Sequence, residues 1–188
     1  MNFFKNDFKM VFAHPDDEIL WASSILKYSS KTIICFSDSP GEDHISKGRV
    51  KAFRNFPISN IINLNITEIN TNKNVNWRNP NVSKYGIHHK KTTNDYKKKY
   101  NELYQSLKVN LERNDVLVTH NPWGEYGHEE HTLVFKVLNE LKKELSLEIY
   151  VTGYVSNRSI YAMKELHNYL QLDPIVCKTD ENCISLIS

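Results

Sequence analysis

Short apolar runs alternate with amphipathic segments along most of the chain. A short apolar run between polar segments is typical of a buried strand. Five such runs predict strands: KMVFA ending at Ala13, KTIICF ending at Phe36, IINLN ending at Asn65, DVLVTH ending at His120, and EIYVT ending at Thr152.

Two of the intervening segments carry apolar residues at helical spacing. Glu18 to Ser29 places Ile19, Leu20, Ala22, Ile25 and Leu26 on one face, and His131 to Leu145 does the same with Val134, Val137, Leu138 and Leu141. Strands alternating with helices favour a Rossmann-like α/β fold, a three-layer sandwich with a mainly parallel sheet. The length of 188 residues suits a single domain spanning 1–188.

The middle of the chain has no clear period. Residues Asn65 to Lys91 are therefore predicted to form a long loop beside the functional site. The stretch Lys84 to Lys99, KYGIHHKKTTNDYKKK, is strongly basic. Because a run of charges is usually a solvated face, this stretch is assigned no role.

The composition narrows the class of protein. With 40% hydrophobic residues, 24% charged residues and a net charge of +2, the chain resembles an average soluble protein and is not expected to bind nucleic acid. Three cysteines without a CxxC pair predict reduced thiols and a cytoplasmic protein. The N-terminal MNFFKNDFKMVF lacks the apolar core of a signal peptide, and no apolar run is long enough to span a bilayer.

The first unusual polar cluster, HPDDE, directly follows a predicted strand. Pro15 favours an extended His14 and suits a helix start, so the three acids that follow lie where the helix dipole stabilises negative charge. A capping role explains Glu18 fully but leaves His14 unexplained. An imidazole beside two carboxylates is a natural arrangement for a bound cation.

The second polar cluster, THNPWGEYGHEEHTLVF, begins at the end of another predicted strand and contains His120, His128 and His131. The spacing HxxH is one residue short of the HExxH of zinc proteases, so two ligands on one helix are not implied. Ligands bind outside the carboxyl ends of parallel strands. The sequence therefore predicts one metal site built across the two loops.

The two motifs AHPDDE, at Ala13 to Glu18, and YGHEEH, at Tyr126 to His131, resemble those of the PIG-L / LmbE-like metal-dependent deacetylases. The second motif of that family is commonly YGHPDH. Its members remove acetyl from N-acetylglucosamine units on phosphatidylinositol, on mycothiol and bacillithiol precursors, and on other sugar conjugates. The resemblance implies an LmbE-like α/β fold and a small-molecule N-acetyl sugar as substrate.

The resemblance also implies roles for individual residues. It makes His14, Asp17 and His131 the ligands of one divalent metal, most simply Zn²⁺ and alternatively Fe²⁺. It makes Asp16 the base for the attacking water, His128 the acid for the leaving amine, and Tyr126 a donor to the oxyanion. Weaker matches assign substrate contacts to Arg49, expected to open the helix after the second strand, and to Asn79 in NWRNP, where the family has Asp.

Two departures and three alternatives accompany this assignment. Glu129 and Glu130 replace the usual Pro-Asp, with Glu130 left to orient His128, and the chain looks short at its C-terminus for this group. The same chemistry could serve an amidase acting on a larger thiol-sugar conjugate. Two histidines and a carboxylate also form the facial triad of non-haem Fe(II) oxygenases, in which Asp16 and His128 would have no task. A metal-containing sugar-binding protein without turnover is the third alternative.

Overall fold

The computed structural model describes residues 7–56, 59–69, 78–79, 81–83, 86–88, 94–167 and 175–177. Parts of the predicted loop Asn65 to Lys91, at 70–77, 80, 84–85 and 89–91, lie outside the described residues. The helices and strands of the described residues, in chain order, are β1 (Phe8–Phe12), α1 (Asp17–Leu26), β2 (Lys31–Asp38), α2 (Asp43–Arg54), β3 (Ile61–Thr67), β4 (Asn81–Ser83), β5 (Gly86–His88), α3 (Asn94–Asn110), β6 (Val116–Thr119), α4 (Glu129–Leu145), β7 (Glu148–Val151) and α5 (Ile160–Leu166).

All five predicted strands form one parallel sheet in the order β3-β2-β1-β6-β7. Val11 of the central strand pairs with Ile33 of β2 on one side and with Thr119 of β6 on the other. The chain therefore builds the sheet outward from β1 to β3 and then returns to the other side of β1. This reversal creates a switch point at the carboxyl ends of β1 and β6, where α/β folds bind ligands.

The core lies on both faces of this sheet. Phe8, Met10 and Phe12 of β1 pack on one face with apolar residues of α1. The alternate residues Val11 and Ala13 pack on the other face with the apolar sides of α3 and α4. Since successive strand residues point to opposite faces, one central strand contributes to both cores. The predicted α/β three-layer sandwich is confirmed.

Three local predictions differ from the structure. The unpatterned segment contains the antiparallel hairpin β4–β5, in which Val82 pairs with Ile87; strands of three residues are too short to show an alternating pattern. Helix α3 begins at Asn94, inside the basic stretch, and its first core residue is Tyr96, which stands among lysines and therefore gives a weak apolar pattern. Arg49 lies in the middle of α2 and does not open it. Helix α2 buries no residue, so its start carries no hydrophobic signal.

Within the part of the chain that the structure describes, none of the helices combines the length and the apolar character needed to cross a bilayer.

Candidate metal centre

The loop after β1 places His14 and Asp17 side by side. The backbone N–H groups of Asp16 and Asp17 both donate to the His14 carbonyl, at 3.1 and 3.3 Å, and turn the chain into α1. Asp17 is buried, and its two carboxylate oxygens accept hydrogen bonds from His14 N at 2.8 Å and from Trp21 Nε1 at 2.9 Å. These two donors stabilise the ionised carboxylate and fix its orientation.

The loop between β6 and α4 depends on Gly124. Its φ of +66° is unfavourable for other residues, and an added Cβ would lie 2.5 Å from the His128 carbonyl oxygen. The tight turn, closed by His128 N donating to Gly124 O at 3.0 Å, directs Glu125 inward and leaves Tyr126 exposed. It also places His128 at the N-cap of α4 and His131 in its first turn.

The two loops meet at the switch point of the sheet. The ring centroids of His14 and His128 are 4.7 Å apart, and those of His14 and His131 are 5.4 Å apart. Asp17 lies between the loops, with Oδ2 3.3 Å from His14 Nδ1 and Oδ1 3.4 Å from His131 Nε2. The structure thus brings the three predicted metal ligands together.

Two overlapping clusters at this point could hold a metal ion. One contains His14, His128 and His131, and the other contains Asp17, His120 and His131. Each cluster includes two of the three predicted ligands, and His131 belongs to both. Sequence motifs alone could not separate these two possibilities.

The donor atoms themselves fit a cation. Among the described residues, three buried imidazole nitrogens lack a hydrogen-bond partner: His14 Nε2, His128 Nδ1 and His131 Nε2. Carboxylate oxygens of Glu68, Glu130 and Asp17 lie 3.0, 3.0 and 3.4 Å from these nitrogens, respectively. A buried polar atom without a partner costs about 1–3 kcal/mol, and a cation would satisfy both the imidazole and the carboxylate.

Protonation is also compatible with a ligand at His131. Burial lowers the pKa of His131 to about 3, so the ring is neutral, as metal binding requires. Burial acts the same way on His14, but the carboxylates of Asp17 and Glu68 outweigh it and raise its pKa to about 10. The metal-free His14 ring therefore carries a proton, which it must release to act as a metal ligand.

Two carboxylates of the site were missed at the sequence level. Glu68 directly follows β3 and lies at the same edge of the sheet, where Arg49 Nη1 donates to its Oε1 at 2.6 Å. Burial would raise the pKa of Glu68, but contacts with His14, Ser39 and Arg49 lower it to about 2. A polar residue directly after a strand would have indicated Glu68 as a site residue. This signal was hidden because the strand was predicted to end at Asn65, whereas β3 ends at Thr67.

Glu125 is the other missed residue and is completely buried. Its Oε2 lies 3.0 Å from His120 Nδ1 and 2.7 Å from His131 Nδ1. An acid between two glycines and among three histidines was the available signal. His120 is also completely buried, and its Nε2 accepts a hydrogen bond from Ala13 N at 2.9 Å.

The predicted catalytic residues surround the predicted ligands. Asp16 is exposed at the start of α1, where partial burial of its carboxyl and the charge of Asp17 raise its pKa. Glu130 Oε1 accepts from Ile69 N at 2.8 Å, which anchors the carboxylate beside His128. Burial and the charge of Asp17 raise the pKa of Tyr126, so its hydroxyl remains a donor.

The remaining predicted residues divide between buried and exposed positions. Glu18 is almost fully buried, and burial raises its pKa to about 7. Its Oε2 accepts from Asp16 N at 3.2 Å, so it stabilises the helix start from inside the protein and not from solvent. Asn79 is exposed, and no contact between described residues joins it to the histidines. Arg49 reaches the site through Glu68.

An aromatic surface borders the candidate metal centre. The Trp21 ring lies 4.9 Å from Tyr154 and 6.1 Å from Tyr126, centroid to centroid. Tyr126 in turn lies 5.6 Å from His131. An open cleft of about 570 Å³ adjoins these rings and is lined by Tyr126, Tyr154, Val155, Ser156, Asn157 and Arg158.

Comparison with known proteins gives one related sequence. An uncharacterized protein of Acanthamoeba polyphaga mimivirus is 26% identical over 191 residues, which cover 93% of this chain and 76% of the viral protein. No family model matches the chain. No solved structure matches it either. The similarity covers most of the chain and names no activity.

Proposed function

We propose that the protein is a metal-dependent hydrolase that removes the N-acetyl group from an N-acetylglucosamine-type sugar or sugar conjugate. The proposed metal ligands are His14, Asp17 and His131. The main support is the buried Nε2 of His131, which lacks a hydrogen-bond partner and lies 3.4 Å from Asp17 Oδ1, together with His14, whose Nδ1 lies 3.3 Å from Asp17 Oδ2. Two imidazoles and a carboxylate suit Zn²⁺, with Fe²⁺ as the alternative.

Amide hydrolysis needs an activated water, stabilisation of the charge on the carbonyl oxygen, and a proton for the departing nitrogen. A divalent metal at this site would polarise the acetyl carbonyl and acidify the water. Asp16 accepts a proton from the water while the water oxygen attacks the carbonyl carbon. The raised pKa of Asp16 makes it a stronger base than an ordinary aspartate.

The second half of the reaction breaks the carbon–nitrogen bond. His128, half-buried at the start of α4, donates a proton to the nitrogen, so that the amine and acetate leave as separate products. The Tyr126 hydroxyl donates to the oxyanion while the negative charge exists. The ring centroids of Tyr126 and His128 are 5.7 Å apart, which supports their acting on one substrate group.

The aromatic surface supports a sugar as the substrate. Sugar rings present an apolar face and polar edges, which match aromatic rings beside a cleft containing Ser156 and Asn157. One substrate molecule would then place its N-acetyl group at the metal centre and its sugar ring over Tyr126. We propose the cytoplasm as its place of action, since Cys35 is a free buried thiol.

The decisive experiment incubates zinc-loaded protein with a panel of N-acetylglucosaminides and measures acetate and free amine. Equal release of both products is expected, with none from the His131→Ala variant. Absence of acetate from the whole panel would contradict the proposal. Mass spectrometry would reveal a larger acyl product from an amidase, and oxygen consumption with a 2-oxo acid would reveal an oxygenase. Sugar binding without acetate release would indicate a binding protein.

A further inference from the structure

The most unusual group outside the predicted catalytic set is the buried carboxylate of Glu125. Its Oε2 contacts Nδ1 of both His120 and His131, whose rings are stacked with centroids 3.8 Å apart. Its Oε1 accepts from Asn121 N at 3.1 Å and from the Thr152 hydroxyl. The Glu125 carboxylate therefore orients the stacked rings of His120 and His131. Its own position is held by two further hydrogen-bond donors.

The protonation pattern of His120 follows from its neighbours. The Ala13 backbone N–H is always a donor, so His120 Nε2 must be the acceptor of the 2.9 Å hydrogen bond. The ring proton then lies on Nδ1 and is donated to Glu125. The Nε2 lone pair of His120 is thus already used by the end of β1 and is not free for a metal.

The same carboxylate has the opposite consequence for His131. Glu125 accepts from Nδ1 of His131 at 2.7 Å, which leaves the lone pair on Nε2. That nitrogen is buried, has no hydrogen-bond partner and lies 3.4 Å from Asp17 Oδ1. A metal-binding histidine usually donates its other ring N–H to such an acceptor, which fixes its orientation.

We propose that Glu125 is a positioning residue that assigns these two stacked histidines different tasks, with His131 a metal ligand and His120 a structural link to β1. The proposal rests on the metal site of the proposed function, but not on its deacetylase activity. It implies that the cluster of Asp17, His120 and His131 is not a metal site of its own. The protein then binds one metal ion, with Nε2 of His131 among the donors.

Glutamine at position 125 is the informative substitution because it keeps the size but cannot keep the hydrogen bonds. If the amide oxygen faces the histidines, the amide NH₂ meets the Asn121 N–H, and both are donors. If the NH₂ faces the histidines, both rings must move their proton to Nε2. We expect Glu125→Gln to weaken zinc affinity by about 10–100-fold.

The matched control is Thr152→Val, which removes one donor to the other oxygen of Glu125 and leaves both imidazole contacts in place. This variant should melt at a lower temperature and bind zinc as the unchanged protein does. Equal losses of zinc affinity in both variants would show that Glu125 acts only on stability, and would overturn the proposal. His120→Asn should retain zinc, whereas His131→Asn should lose it; the reverse result would also overturn the proposal.

Histidine-labelled ¹⁵N NMR of the unchanged protein tests the proposal without any substitution and without turnover. In metal-free protein, both His120 and His131 should carry the proton on Nδ1. Addition of Zn²⁺ should shift Nε2 of His131 and leave Nε2 of His120 in place. A proton on Nε2 of either ring, or a zinc-dependent shift at His120 Nε2, would refute the proposal. Since acetate release is not measured here, failure of the deacetylase activity would leave this result unaffected.

Discussion

At the residue scale, the adjacent acids Asp16 and Asp17 occupy different environments. Asp17 is buried and accepts two hydrogen bonds, from a backbone N–H and from an indole. Asp16 is exposed and has φ +154° and ψ −26°, which non-glycine residues rarely adopt. Such backbone conformations concentrate at functional sites, because the surrounding structure must enforce them. The two side chains therefore face different partners.

The two acids are predicted to fail differently when each is changed to asparagine. Asp17→Asn should lose metal and activity together, because it removes the charge beside His14 and His131. Asp16→Asn should keep the metal and the fold but lose about 10²–10⁴-fold in rate, the typical worth of a positioned base. Metal content, melting temperature and acetate release decide the matter. Metal loss from Asp16→Asn with retention in Asp17→Asn would reverse the two assignments.

Tyr126→Phe is predicted to lower kcat by about 10²–10³-fold with little change in KM, because its hydroxyl acts on charge that exists only in the transition state. Steady-state kinetics with an N-acetylglucosaminide measures both constants. Tyr154→Phe is the matched control, since Tyr154 is half exposed and lies on the same aromatic surface beside Trp21. An unchanged kcat in the Tyr126 variant would mean that this side chain only packs on the loop.

At the element scale, the turn between β6 and α4 positions Glu125, His128 and His131. Gly124 permits this turn, since a Cβ there would meet backbone at 2.5 Å as well as require an unfavourable φ. Gly48, in the middle of α2, has a helical conformation and nothing within 4 Å of an added Cβ. The backbone therefore requires glycine at position 124 but not at position 48, and only Gly124 is needed by the site.

Gly124→Ala is predicted to lower the free energy of unfolding by more than about 1 kcal/mol and to weaken zinc binding, because the turn must open. Gly48→Ala should raise the free energy of unfolding by about 0.5–1 kcal/mol, since alanine is the better helix former. Urea denaturation and a zinc titration measure both effects. Equal stability of the two variants would show that the turn tolerates a side chain.

At the scale of the whole molecule, one buried cation opposes folding at neutral pH. Lys136 of α4 is 6% exposed, and its Nζ donates to the Tyr96 hydroxyl of α3 at 3.1 Å. Burial lowers the pKa of Lys136 to about 8 from 10.5. Between about pH 8 and pH 10.5 the unfolded chain therefore keeps the Lys136 proton, whereas the folded chain loses it. The contribution of Lys136 to the free energy of unfolding rises as the pH increases across this range.

Lys136→Met is predicted to be more stable than the unchanged protein at pH 7, by roughly 3 kcal/mol at most, because it removes the cost of burying the charge. This difference should shrink as the pH rises from about 8 to about 10.5 and vanish above it. Urea denaturation of both proteins across this range measures the difference directly.

The exposed Lys142→Met variant on the same helix is the control and should show no such pH dependence. A difference between the Lys136 variant and the unchanged protein that stays constant with pH would contradict a lowered lysine pKa in the folded state.

The sequence by itself determined the layers of this protein and the two loops of its candidate site. Apolar runs of strand length and helices of clear period predict the parallel sheet, because burial on both faces leaves a strong local pattern. Polar residues directly after two of these runs predict a site at one edge of the sheet. The resemblance of the two motifs to those of a known family then singles out His14 and His131 as predicted metal ligands.

Only the tertiary structure decided which groups meet at that edge and what each can bind. Glu68 reaches His14 because β2 pairs with both β1 and β3, and this register is set by contacts distant in sequence. His120 is occupied by the backbone N–H of Ala13, which lies 107 positions earlier in the chain. Local pattern encodes burial, whereas hydrogen-bond partners depend on strand order and register. For that physical reason, the sequence alone does not distinguish the tasks of His120 and His131, whose stacked rings have centroids 3.8 Å apart.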